Sequence, residues 1–206
     1  MTNFPNALMW YVVFLLSTTF HEAAHAFAAM KMGDLTAYEN GQVTLNPFPH
    51  VKREPVGTIV VPIISFLIGG WMVGWASAPY NPEWAYKYPK KSAAMAAAGP
   101  MANFILIVVS AVNSGIYGGA AKILGIFFIL NSILFLFNLI PVPPLDGSGI
   151  LPMYLNEANG RKYMSKINSY AFEIVGIIIA WYLFDFIYSG LHTVLINLLY
   201  PGSNYH

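Results

Sequence analysis

The sequence predicts an all-α polytopic membrane protein with about four to six transmembrane helices and a re-entrant segment. A polar stretch in its N-terminal third reads equally as a small β-hairpin or a solvated loop. Three observations predict this fold class. The 206 residues are 57% hydrophobic and only 9% charged, with a mean hydropathy of +0.56, more apolar than a soluble domain of this size needs. Five long apolar segments follow one another along the chain, and proline and paired glycines interrupt one of them. Composition changes little and no repeat or low-complexity tract stands out, so residues 1–206 read as a single domain. A net charge of +1 gives no sign of a nucleic-acid partner. Cysteine is absent, which excludes disulfides, a thiolate metal site and a cysteine nucleophile, so any metal must be held by His, Asp or Glu.

The first segment runs from Phe4 to Met30. No Lys or Arg precedes it, so it is expected to remain as a transmembrane helix rather than be cleaved as a signal peptide. Its only ionisable residues are His21, Glu22 and His25. On a helix the two histidines lie one turn apart on one face, a spacing at which two imidazoles can hold one zinc ion. Glu22 beside them can take a proton from water activated by the metal. Three ionisable groups are costly in lipid unless something compensates, which favours a functional site over two histidines merely satisfied by neighbouring helices.

Asp34 to Glu54 is the most polar stretch of the N-terminal half. Asn40-Gly41 is a hairpin signal, flanked by Ala37-Tyr38 and Gln42-Val43-Thr44-Leu45. Formed, the hairpin would offer an edge on which an extended peptide could pair. His50 in the following loop is a candidate for lining a site.

The second segment, Val56–Ala78, is long enough to cross. Full crossing would put Lys31, Lys52, Arg53 and Lys122 on one face and the other six cations opposite. If the segment returns to the side it entered, nine cations share a face and Lys122 alone lies opposite, the bias that the positive-inside rule favours. Pro62, Gly69-Gly70 and Gly74 suit a broken path. This topology starts the chain outside the cell. His21, 17 residues after Phe4, then lies about 25 Å down, nearer the cytoplasmic face. Further helices are expected over Ser92–Ile116, Ala120–Ile140 and Ile167–Tyr188, with a tail to Tyr200 whose crossing is open.

A catalytic zinc usually takes three protein ligands and keeps a position for water. Asp146 is the best third ligand. It follows Pro141-Val142-Pro143-Pro144, where three prolines in four positions stop the helix, and precedes Gly147 and Gly149, which permit a tight turn. Alone, Asp146 reads better as a helix N-cap in an ordinary loop; combined with the histidine pair, it reads as a ligand.

Taken together, His21-Glu22-Ala23-Ala24-His25, Gly99-Pro100-Met101-Ala102-Asn103 and Leu145-Asp146-Gly147 resemble the motifs of the site-2 protease family of intramembrane zinc metalloproteases, in the family's order. Thr44-Leu45-Asn46-Pro47, His50 and Gly57 further resemble a short, single-domain branch. The resemblance implies one zinc per chain on His21, His25 and Asp146, with Glu22 as the catalytic base. It implies a single intramembrane metalloprotease domain whose partners are the lipid bilayer and a transmembrane or membrane-associated protein substrate. It also places Asn138 near the substrate backbone, a role that Asn103 could share by donating a hydrogen bond. Only about 35 residues separate Asn103 from Asn138, which leaves no room for an inserted PDZ domain. The short branch usually carries Asp-Pro after the loop histidine, whereas here Val51-Lys52-Arg53-Glu54-Pro55 follows His50. Compact members of the family point to a prokaryotic cell membrane. Two other readings compete: a metal-ion or proton transporter with an intramembrane His/Glu/Asp relay, and a catalytically inactive scaffold. Transport requires a gradient, whereas hydrolysis in detergent does not.

Overall fold

In the computed structural model, which describes residues 4–69, 72–113, 119–167, 175–176, 178–180 and 182–184, three helices are long and apolar enough to cross a bilayer. They are α1 (Phe4–Met32), α6 (Pro89–Val112) and α7 (Gly119–Asn138). Between α1 and α6 lie α2 (Thr36–Glu39), α3 (Pro47–Arg53), α4 (Val61–Gly69, entered through a π-helical turn at Val56–Val60) and α5 (Pro82–Lys87). After α7 come α8 (Asp146–Ile150), a 3₁₀ turn at Leu151–Tyr154 and α9 (Glu157–Ile167). The expected last helix over Ile167–Tyr188 and the tail to Tyr200 lie largely outside the described residues.

The three long helices pack on one another, α1 against α6, α6 against α7 and α1 against α7. Small residues make the first contact close: Ala26 and Ala29 of α1 and Ala93 and Ala96 of α6 are buried. One apolar cluster, with Val13, Phe14, Phe66, Met72, Ile126 and Leu130, ties α4 to α1 and α7. A second, with Ala29, Trp84, Met95 and Met164, gathers α1, α5, α6 and α9.

The segment from Val56 doubles back, as the charge distribution predicts. Its helical part, Val56–Gly69, spans about 21 Å at 1.5 Å per residue, less than a hydrocarbon core of about 30 Å. The returning chain is non-helical and runs back beside the outgoing limb. The Val73 amide donates to Ser65 Oγ (2.9 Å), the Trp75 amide to the Gly57 carbonyl (3.1 Å) and Ser77 Oγ to Glu54 Oε1 (2.6 Å). Glycine is required where the two limbs touch. A Cβ on Gly57 would lie 2.4 Å from the Trp75 carbonyl oxygen, and one on Gly74 would lie 2.4 Å from the Gly57 carbonyl oxygen.

Of the two readings of the stretch around Asn40-Gly41, the β-hairpin is not formed; no strand occurs among the described residues. The Asp34 carboxylate accepts from the Thr36 amide (3.0 Å) and hydroxyl (2.6 Å), which starts a helical turn instead. Gly41, at φ 67°, then ends it. Its amide donates to the Tyr38 carbonyl and that of Gln42 to the Ala37 carbonyl, each at 2.9 Å, the paired bonds of a Schellman cap. Asn-Gly supplies a left-handed residue in both settings, and the aspartate upstream decides between them.

Candidate metal centre

His21 and His25 project from the part of α1 that faces α6, and both are buried. The prolines after α7 end that helix and lead to α8, whose first residue is Asp146. Glycine lets this turn fold back over the end of α7, since a Cβ on Gly147 would lie 2.4 Å from the Leu139 carbonyl oxygen. The three side chains converge. The two Nε2 atoms are 3.0 Å apart, Asp146 Oδ2 is 3.0 Å from His21 Nε2, and Asp146 Oδ1 is 3.3 Å from His25 Nε2.

The donor set fits a metal. His25 Nδ1 lies 2.8 Å from the Met95 carbonyl, which can only accept, so Nδ1 carries a hydrogen and, when the ring is neutral, Nε2 keeps its lone pair for the centre. Asp146 Oδ2 is close to His21 but off the line of a hydrogen bond, and it has no donor among the described residues. With both rings neutral, acceptors face acceptors in a buried place, an arrangement that a cation relieves. A tetrahedral zinc with bonds of about 2.0–2.1 Å needs its ligand atoms about 3.3 Å apart, close to the observed spacings. Nitrogen and carboxylate oxygen are also donors that zinc accepts.

Gly99 explains why α6 can lie so near. A Cβ there would sit 2.3 Å from His25 Nε2 and 2.5 Å from His21 Nε2, so the Gly-Pro motif leaves the space the imidazoles occupy. Asn103, one turn on and fully buried, accepts from His21 Nδ1 through Oδ1 at 2.6 Å. Its Nδ2 donates to Asn131 Oδ1 of α7 at 2.8 Å. The Asn103 side chain is therefore turned to His21 and Asn131.

A cavity of about 770 Å³ opens on the centre. Glu22, His21, His25 and Asp146 line it, as does Asn138 at the end of α7, and the non-helical residues 73–80 form one wall. His50 does not line it. That residue is buried in α3 with Nε2 donating to the Thr44 carbonyl (3.0 Å), beside a smaller apolar hollow of about 360 Å³ on a different face of α1. Sequence reasoning missed Ser17, Asn131 and the wall at 73–80. Polar residues in the middle of apolar helices were the available signal, because each needs a partner inside the bundle.

Residues 115–183 match the model of peptidase family M50. Relatives bearing the name "Putative zinc metalloprotease" include YwhC of Bacillus subtilis, 37% identical over 187 residues that make up 83% of this chain and 80% of that protein. Rip2 of Mycolicibacterium smegmatis is 26% identical over 200 residues, 89% of this chain and 74% of its own. Rip2 of Mycobacterium tuberculosis is 26% identical over 156 residues, 71% and 57% respectively. No solved structure gives a significant match. An identity of this level with YwhC, maintained over most of both chains, together with the family match, means that the chain belongs to peptidase family M50, the site-2 protease family.

Proposed function

We propose that the chain is an intramembrane zinc endopeptidase that hydrolyses peptide bonds of transmembrane or membrane-associated protein substrates. The observation that carries this reading is the convergence of His21, His25 and Asp146 on a cavity that Glu22 also lines, with both histidines inside an apolar helix long enough to span. His21 and His25 through Nε2, and Asp146 through its carboxylate, hold the zinc. Zinc, when bound, supplies Lewis acidity that polarises the scissile carbonyl and makes water acidic enough to deprotonate near neutral pH. Glu22 takes the proton from the attacking water and delivers it to the leaving amine. Asn138 offers an uncharged amide to the substrate backbone from the cavity wall. The wall at 73–80 belongs to no helix, so its backbone can align a substrate segment along itself, the task first expected of the Tyr38–Leu45 stretch. Asn103, spent on His21, positions that ligand instead of touching substrate. In the cell membrane the N-terminus lies outside and the site nearer the cytoplasmic face, as the nine-to-one division of cations favours.

The test is zinc content and cleavage of a transmembrane-segment reporter in detergent. Wild type is expected to hold about one zinc and to cleave. Glu22→Gln should keep the zinc and lose about 10²–10⁴-fold in rate, the usual contribution of a general base. Asp146→Ala should lose zinc and activity together. Full cleavage by Glu22→Gln would remove Glu22 from the mechanism.

A further inference from the structure

The buried polar chain behind His21 has a direction, and it is set on α7. Asn131 is completely buried, with Nδ2 lying 2.8 Å from the Phe127 carbonyl and 2.9 Å from Ser17 Oγ. A carbonyl only accepts, so the group facing Phe127 must be the amide NH₂. Asn131 Oδ1 is therefore the atom that faces Asn103, 2.8 Å from its Nδ2, and accepts from it. That turns Asn103 Oδ1 towards His21 Nδ1 at 2.6 Å, which must carry a hydrogen. His21 Nε2 is left to face His25 and Asp146. The two histidines reach this state by different routes. His25 relies directly on a backbone carbonyl that cannot turn, whereas His21 relies on a side-chain amide that can.

We infer, on the reading of His21 as a zinc ligand, that Asn131 is a positioning residue for metal binding. By fixing which way the Asn103 amide points, it holds His21 as the Nδ1–H tautomer that offers Nε2 to the metal. Among the described residues Asn103 Nδ2 has one other acceptor, the Ser17 carbonyl at 3.5 Å, beyond ordinary hydrogen-bond length, so without an acceptor at position 131 the Asn103 NH₂ can turn towards His21. The ring then accepts at Nδ1 and carries its hydrogen on Nε2, where a metal must bind. The partners are all uncharged, so the chain controls a ligand in an apolar interior without burying an ion.

The test measures zinc affinity of the full chain in detergent by chelator competition, with the visible spectrum of the cobalt-loaded protein as a second readout. Asn131→Leu keeps the size and removes the acceptor. It should weaken zinc about tenfold, the lower end of what loss of a supporting hydrogen bond does to a metal site, and alter the cobalt spectrum. Asn131→Asp keeps the acceptor. As a neutral acid, the form burial favours, it can donate to the Phe127 carbonyl and accept from Asn103. Its zinc affinity should stay within about twofold of wild type, the spread of small independent effects. Asn131 acting only as packing predicts the opposite order, because leucine suits an apolar interior better than a carboxyl group. Equal affinities for wild type and Asn131→Leu, or weaker binding by Asn131→Asp than by Asn131→Leu, would overturn the assignment. Should Asn131→Leu not fold, Asn131→Asp still decides, since loss of its zinc is incompatible with the role. Absence of zinc from wild type would instead sink the ligand reading of His21, His25 and Asp146, a separate failure.

Discussion

Replacing Gly99 by alanine tests the metal centre through the residue that makes room for it. The added Cβ would stand 2.3 Å from His25 Nε2 and 2.5 Å from His21 Nε2. Ordinary contact needs about 3.5 Å, so each pair is about 1 Å too close. The imidazoles cannot give way in place, because Nδ1 of one is tied to Asn103 and that of the other to the Met95 carbonyl. Metal–ligand distances tolerate only about 0.2 Å, so a displacement of about 1 Å removes at least one nitrogen from bonding range. A loss of at least about 100-fold in zinc affinity is expected, close to 2.7 kcal/mol. The metal-free fold should change much less. Alanine is the better helix former by about 1 kcal/mol, which offsets part of an overpacking cost of about 1–3 kcal/mol. Chelator competition gives the affinity and a thermal melt of the metal-free protein gives the stability. Zinc binding by Gly99→Ala within about threefold of wild type, less than about 0.7 kcal/mol, would refute the close approach of α6.

Three further outcomes follow from the geometry. Gly74→Ala should lower the melting temperature, at a cost of about 1–3 kcal/mol, because its Cβ would meet the Gly57 carbonyl oxygen at 2.4 Å and push the two limbs of the re-entrant segment apart. Gly41→Ala meets nothing within 4 Å but must hold φ 67°, so a melt should show a loss of about 1–2 kcal/mol with zinc content unchanged. Asn138→Leu should leave zinc in place and lower kcat/KM about tenfold or more, the loss of one to two kcal/mol of hydrogen bonding to substrate, measured on a peptide reporter.

Much of this architecture was legible before any coordinates, because the governing signals are local or additive. The His21–His25 spacing needs only helical geometry. The return of Val56–Ala78 follows from where ten cations can lie. What stayed hidden depends on contacts between distant residues. The hydrogen bond from His21 to Asn103 spans 82 positions and that between Ser17 and Asn131 spans 114, distances over which spacing carries no information. For that reason Asn103 reads in sequence as a substrate contact, whereas its amide is turned to His21 and Asn131. Gly99 stands out in the Gly-Pro motif, yet the imidazoles that require it lie on another helix. Asn40-Gly41 misleads for a different reason: one dipeptide serves two kinds of turn, and Asp34 selects the helical one.

The run of prolines between α7 and α8 has a consequence for a chain that leaves its helix, and it would matter most inside a bilayer. Irregular backbone is penalised there mainly through amide hydrogens that find no acceptor. Pro141, Pro143 and Pro144 have none to place. The remaining amides of the stretch are all matched: Leu139 donates to the Phe135 carbonyl, Ile140 to Phe137, Val142 to Ile140 and Leu145 to Val142. From Leu139 to Leu145, then, the chain abandons the helix without stranding a single donor. The prolines thus do more than interrupt a helix; they carry the chain to Asp146 without amide hydrogens that would need acceptors.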